Sequence, residues 1–292
     1  MENIKVYSDL NKEQKQRVYA FIRLETNLAS SYEQMEEIFN GKIHDYGKGV
    51  IFYFIEDEVV ASLCIVLEVV EKLHKSYIHK VGINKEMPNI HKILGKLIQE
   101  AILISKTYGA EDIRMGLSDE NIIQEAEKIG LKKEYKSLEM KLNESTKQNE
   151  ILQLKELNII NKEDYVEIYN DSFSDMPHGT LTDIETVTNL LAKPKDENKQ
   201  EYYFMVCDNN EEIGFMEVTI ENDKGMFDIG LCKKYRNKGY GKRLLETAIQ
   251  FLVNKKVRAI SLIVIEQNQV AYNMYKKRGF EVSHVIGEWI TL

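Results

Sequence analysis

At 292 residues the chain is long for one compact domain and comfortable for two. Hydrophobic residues make up 43% and charged residues 29%, which places it among ordinary globular proteins and excludes a disordered or fibrous chain. A formal net charge of −8 argues against a general nucleic-acid binder, whose affinity rests largely on neutralising phosphates. The three cysteines, Cys64, Cys207 and Cys232, are far apart and lack CxxC spacing, so no metal site and no disulfide framework is expected. Met1 to Lys5 shows no basic-then-apolar leader pattern. The longest apolar run, Val59 to Val70, is interrupted by Ser62 and Glu68 and is too short to span a bilayer. The expectation is a cytoplasmic protein with neither a nucleic-acid nor a membrane partner.

In chain order, the pattern runs through the same plan twice. Residues 49–69 and 201–221 each read as an apolar run, an acidic turn and a second apolar run, the pattern of a β-hairpin. Strand-like Tyr77 to Ile83 and Phe227 to Leu231 follow. Each leads through a polar segment into a helical pattern, Ile93 to Tyr108 and Tyr240 to Lys255. Strands Asp112 to Leu117 and Ala259 to Ile265 come next, then helices Asn121 to Lys128 and Gln269 to Lys277. Both helices end at a glycine followed by an apolar residue, Gly130-Leu131 and Gly279-Phe280, as a left-handed C-cap requires. Glu134 to Leu142 and Glu281 to Leu292 close the two halves as strands. The pattern predicts two α/β domains of one type, residues 1–142 and 151–292, joined by a polar linker at 143–150. The last strand offers an edge for a homodimer, although nothing in the sequence requires one.

The sharpest local signal is the run from Asp228 to Leu245, in which a strand enters a turn and the turn opens a helix. Gly239 and Gly241 allow a tight bend and close approach of a ligand to the backbone. The first N–H groups of the helix lack intrahelical partners, and Arg236, Lys238 and Lys242 add positive charge, so the segment suits a pyrophosphate. A dinucleotide fingerprint fits poorly, because Leu244 stands where its third glycine belongs, and the nucleotide-binding G-x-x-x-x-G-K-[ST] loop is absent. The bland alternative is a glycine-rich turn with solvated basic residues.

Arg236-x-x-Gly239-x-Gly241 resembles the acyl-CoA-binding motif of the GNAT N-acetyltransferase superfamily. Asn268-x-x-Ala271-x-x-x-Tyr275-x-x-x-Gly279-Phe280 resembles a second signature of that family. The resemblance covers about 140 residues and implies two tandem domains, each a mixed, mostly antiparallel sheet flanked by helices. It implies acetyl-CoA as cosubstrate. The strand backbone around Ile229, Leu231 and Cys232 would face the pantetheine arm. The segment Arg236, Asn237, Lys238, Gly239, Tyr240, Gly241 and Lys242 would hold the pyrophosphate, with Asn268 on the arm. Transfer to a primary amine of a small molecule or peptide would be direct. Tyr275 occupies the position of the group that donates to the departing sulfur, and as a phenol it is protonated at neutral pH.

Glu217 and Asp228, each on a predicted strand, are the candidates for the base; each fits equally the surface face of an alternating strand. Glu266 and His178 are weaker candidates. The segment 169–179 is where such folds shape the acceptor pocket, with Phe173 and Met176 as lining and Asp175 or His178 as groups able to orient an amine. The alternative function is a CoA-binding sensor without turnover. In the first half, counting along the helices sets Ile90, Ile93 and Gly95 opposite Arg236, Gly239 and Gly241. Asp119 and Ala126 fall opposite Asn268 and Tyr275. The reading is a degenerate, non-catalytic domain.

Overall fold

The computed structural model describes residues 2–26, 28–143, 149–194, 196 and 199–292. Its contacts divide the chain into two units, Met1–Tyr135 with Gly287–Leu292, and Lys136–Ile286. The expected linker at 143–150 lies mostly outside the described residues.

The first unit contains β1 (Glu2–Val6), α1 (Lys12–Glu25), α2 (Tyr32–Phe39), β2 (Val50–Ile55), β3 (Glu58–Val66), a short α3 (Val70–Leu73), β4 (Lys75–Ile83), α4 (Ile90–Thr107), β5 (Asp112–Leu117) and α5 (Glu120–Lys128). Strands β1 to β4 pair antiparallel in sequence order, and β4 pairs parallel with β5 over 75–78 and 112–115. The last residues of the chain complete this sheet, with Glu288 to Thr291 antiparallel to β5.

The second unit contains most of β6 (Tyr135–Leu142), then β7 (Gln153–Glu156), α6 (Lys162–Phe173), α7 (Ile184–Ala192), β8 (Lys199–Asp208), β9 (Glu211–Glu221), β10 (Lys224–Leu231), α8 (Tyr240–Asn254), β11 (Ala259–Ile265), α9 (Gln269–Arg278) and the start of β12 (Phe280–Thr291). Strands β7 to β10 are antiparallel, β10 is parallel to β11, and β11 is antiparallel to β6. Of the last strand, which the sequence offered as a dimer edge, Glu288 to Thr291 pair with β5.

Local chemistry explains these elements. Asn209-Asn210 and Asn222-Asp223 all take left-handed φ, between 50° and 65°, as two-residue hairpin turns demand. The α8 stripe Leu244, Leu245, Ala248, Ile249 and Leu252 is buried in the core. Gly225 lets that helix seat on β10, since a Cβ there would meet Leu252 Cδ2 at 2.4 Å. Helix α9 is capped by Asn268, whose side chain accepts from the Ala271 N–H, and ends at left-handed Gly279. A buried ion pair, Arg278 Nε to Glu246 Oε2 at 2.9 Å, fixes α9 against α8. Among the described residues no helix is long and apolar enough to cross a membrane.

Candidate active site

Strand β10 pairs with β11 only through Lys224, Gly225 and Met226, whereas its pairing with β9 continues to Leu231. Beyond Met226 the two parallel strands therefore separate. The β10 backbone of Ile229 and Leu231 loses its ladder on that side, and unpaired backbone in a cleft is a ready acceptor for an extended amide-bearing ligand. Of the expected arm contacts, two backbone groups are engaged internally. The Leu231 carbonyl accepts from Arg236 Nε at 3.1 Å, and the Cys232 N–H donates to Ile213 O at 2.9 Å.

The strand leads through a 3-10 turn (Lys233–Tyr235) into the basic, glycine-bearing segment. Asn237 and Gly239 take φ of 61° and 88°, and Gly239 is the N-cap of α8 with no side chain capping it. A Cβ at Gly239 would meet nothing within 4 Å, whereas one at Gly241 would meet Met274 Sδ at 3.2 Å. Gly239 thus borders open space in front of an uncapped helix N-terminus, and Gly241 permits contact between α8 and α9. An uncapped N-terminus with open space before it fits a pyrophosphate.

The Arg236 side chain does not face that space as a free cation. Its guanidinium makes a fork with Asp175, at 2.8 and 3.0 Å, and donates to Ser172 O at 2.9 Å. Close by, the Lys233 N–H donates to Asp171 Oδ2 at 2.8 Å. Through these bonds the Arg236 side chain straps the end of α6 to the segment that opens α8. Lys238 lies over the Tyr235 ring, and Tyr240 donates to Asp208.

The carboxylates come together by register. Asp228 lies directly opposite Glu217, and Glu217 directly opposite Tyr203, which puts all three on one face of β8, β9 and β10. Helix α6 covers the same face. Tyr165 OH donates to Glu217 Oε1 at 2.5 Å, and Tyr169 and Phe173 pack on Phe215, at 4.7 and 5.1 Å between ring centres. Burial pushes Glu217 up to about 7, opposed by the Tyr165 hydrogen bond and assisted by the neighbouring Asp228 charge. Asp228 is pushed up to about 6 by desolvation, yet its side chain keeps solvent access. Asp228 lies on β10 past Met226, where β10 and β11 have parted.

Tyr275 is buried, and burial together with the Asp228 charge raises its phenol, so it stays protonated. Asn268 Nδ2 approaches Met176 Sδ at 3.9 Å, which links the expected arm contact to the acceptor loop. His178 takes a left-handed φ of 57° at the end of that loop. Tyr165, Tyr169 and Tyr203 were not singled out from the sequence. The signal for two of them is their four-residue spacing on α6.

The first unit departs at every corresponding place. Helix α4 starts at Ile90 with left-handed Asn89 as N-cap and has 18 residues against 15 in α8, so it begins about a turn earlier. Asp119 caps α5 as Asn268 caps α9, but it forms an ion pair with Lys85 at 2.9 Å. Ala126, fully buried, stands where Tyr275 would.

Strands that part beyond a short parallel pairing thus lie next to an uncapped, glycine-led helix N-terminus. Residues 161–280 match the model of the acetyltransferase (GNAT) family. Over 107 residues the chain is 25% identical to the uncharacterized N-acetyltransferase YycN of Bacillus subtilis, covering 35% of this chain and 69% of that protein. It is 34% identical over 85 residues to the mycothiol acetyltransferase of Corynebacterium efficiens, but spans only 29% of that protein and 28% of itself. A GCN5-related N-acetyltransferase structure from Sphaerobacter thermophilus superposes with a TM-score of 0.63 at 13% identity, covering 100% of this chain and 95% of the other. A tandem GNAT protein from the clavulanic acid biosynthesis pathway superposes with a TM-score of 0.61 at 10% identity, covering 100% and 98%. Residues 161–280 thus carry the GNAT family match, and the chain as a whole has the fold of the tandem GNAT structure.

Proposed function

We propose that the second unit is an acetyl-CoA-dependent N-acetyltransferase acting on a primary amine of a small molecule or peptide, and that the first unit is a non-catalytic relative. The separation of β10 from β11, opening beside the uncapped Gly239 N-terminus, carries this reading. Bound acetyl-CoA would supply the thioester. The N–H groups of the Asn237–Gly241 turn would hold its pyrophosphate, and the β10 edge at Ile229 its arm.

Asp228 is the base. It is open to water, it has no salt-bridge partner among the described residues, and its charge reaches Tyr275. It accepts the proton that the amine nitrogen loses as the C–N bond forms, and a pKa near neutrality suits that task. Tyr275, held protonated, donates a hydrogen bond to the sulfur as the C–S bond breaks. The proton on Asp228 then leaves to solvent.

The test is CoA release from acetyl-CoA with a panel of primary amines, with the product mass determined. An acetylated amine whose formation requires Asp228 supports the reading. Acetyl-CoA binding with no turnover of any amine would favour a CoA-binding module.

A further inference from the structure

The chemistry needs one base, yet the cleft holds two carboxylates. Glu217 and Asp228 face each other on adjacent strands, and among the described residues neither makes a salt bridge. Glu217 is half-buried, and a half-buried carboxylate without a cationic partner is costly unless it is protonated or a ligand brings the cation. The surroundings favour an ammonium. Tyr165 bonds Glu217, and Tyr169, Tyr203 and Tyr275 lie close enough for the carboxylates to perturb their phenols. Aromatic faces beside carboxylates attract ammonium groups. The charged residue next along this face, Glu201, is already paired with Lys199 at 2.5 Å and leaves the Glu217 position as the one to be compensated.

Resting on the acyltransferase reading, we infer that the acceptor is a diamine: one amine reacts at Asp228 beside Tyr275, and a second, charged ammonium sits at Glu217 against Tyr169 and Tyr203. The two side chains leave paired backbone positions about one strand spacing apart, roughly 5 Å, and a linker of about three methylenes spans that distance. Glu217 is thus a specificity-determining residue, held in place by Tyr165.

The test is calorimetry and CoA release with the full chain, using acetyl-CoA first and then propylamine, 1,3-diaminopropane and 1,4-diaminobutane. With acetyl-CoA bound, the diamines are expected to bind and react about tenfold or more better than propylamine, the scale of one enclosed charge pair. Glu217→Gln is expected to bring that ratio close to one. Propylamine equal to the diamines in the wild type, no binding of any of the three at millimolar concentration, or a ratio that survives in Glu217→Gln would overturn the inference. Failure of acetyl-CoA itself to bind is a separate result and would sink the acyltransferase reading.

Discussion

Arg236 and Asp175 form a two-bond fork at 2.8 and 3.0 Å, so the arginine of the glycine-bearing segment is held by the loop that follows α6. The same guanidinium also holds Leu231 O and Ser172 O. One side chain therefore ties together the end of β10, the end of α6 and the start of the phosphate turn.

A strap acts through its fork, whereas a phosphate counter-charge acts through its charge. Arg236→Lys keeps the charge and loses the fork. We expect it to destabilise the ligand-free protein by about 1–2 kcal/mol, the worth of two or three hydrogen bonds partly screened by solvent. Thermal unfolding without acetyl-CoA measures this, and an unchanged midpoint would return Arg236 to a direct role on the phosphate.

Glu217 gives a pH signature. Its folded-state pKa near 7 lies above the value of about 4.3 for a free glutamate. The folded state therefore holds the proton more tightly, and the associated stability is present below about pH 4 and lost as pH rises through 7. Glu217→Gln removes that loss. The midpoint difference, variant minus wild type, should grow between pH 5 and pH 8; a flat difference would contradict the enclosed carboxylate.

Much of this was legible in the sequence, and the omissions have physical causes. Helices α8 and α9 follow from their apolar stripes and their glycine punctuation, and their sequence ranges match closely. The acidic face was harder to read. Counting out from the Asn209-Asn210 turn would set Tyr203 opposite Met216, but an irregularity between Val206 and Cys207 shifts the register by one and sets Tyr203 opposite Glu217. A bulge of this kind leaves no mark in a hydrophobicity pattern. The occupied Arg236 fork was hidden for a different reason: its partner is 61 residues away in sequence. The first unit's extra helical turn at Ile90 was missed because Asn89, rather than a glycine, takes the left-handed position.

Tyr275 is expected to act on the reaction and leave binding alone. Tyr275→Phe retains the ring beside Phe280 and removes the hydroxyl. Turnover should fall about tenfold to a hundredfold, with acetyl-CoA affinity within about twofold. Loss of affinity in step with turnover would make Tyr275 a packing residue.

The first unit supplies a charge pair, Lys85 with Asp119, at the helix cap that Asn268 occupies in the second unit. Calorimetric titration should therefore give one acetyl-CoA per chain. Two equivalent sites would show that Asn89 and its neighbours bind as well.

The most direct test of the central claim is thermal unfolding with and without millimolar acetyl-CoA, in the wild type and in Gly239→Asp. Aspartate tolerates a left-handed φ and would meet no neighbour here, but it places a negative charge before the helix N-terminus. A ligand that binds only the native state raises the midpoint. We expect a rise in the wild type that is absent in Gly239→Asp; either no rise in the wild type or an equal rise in both proteins would contradict cofactor binding at the Gly239 turn.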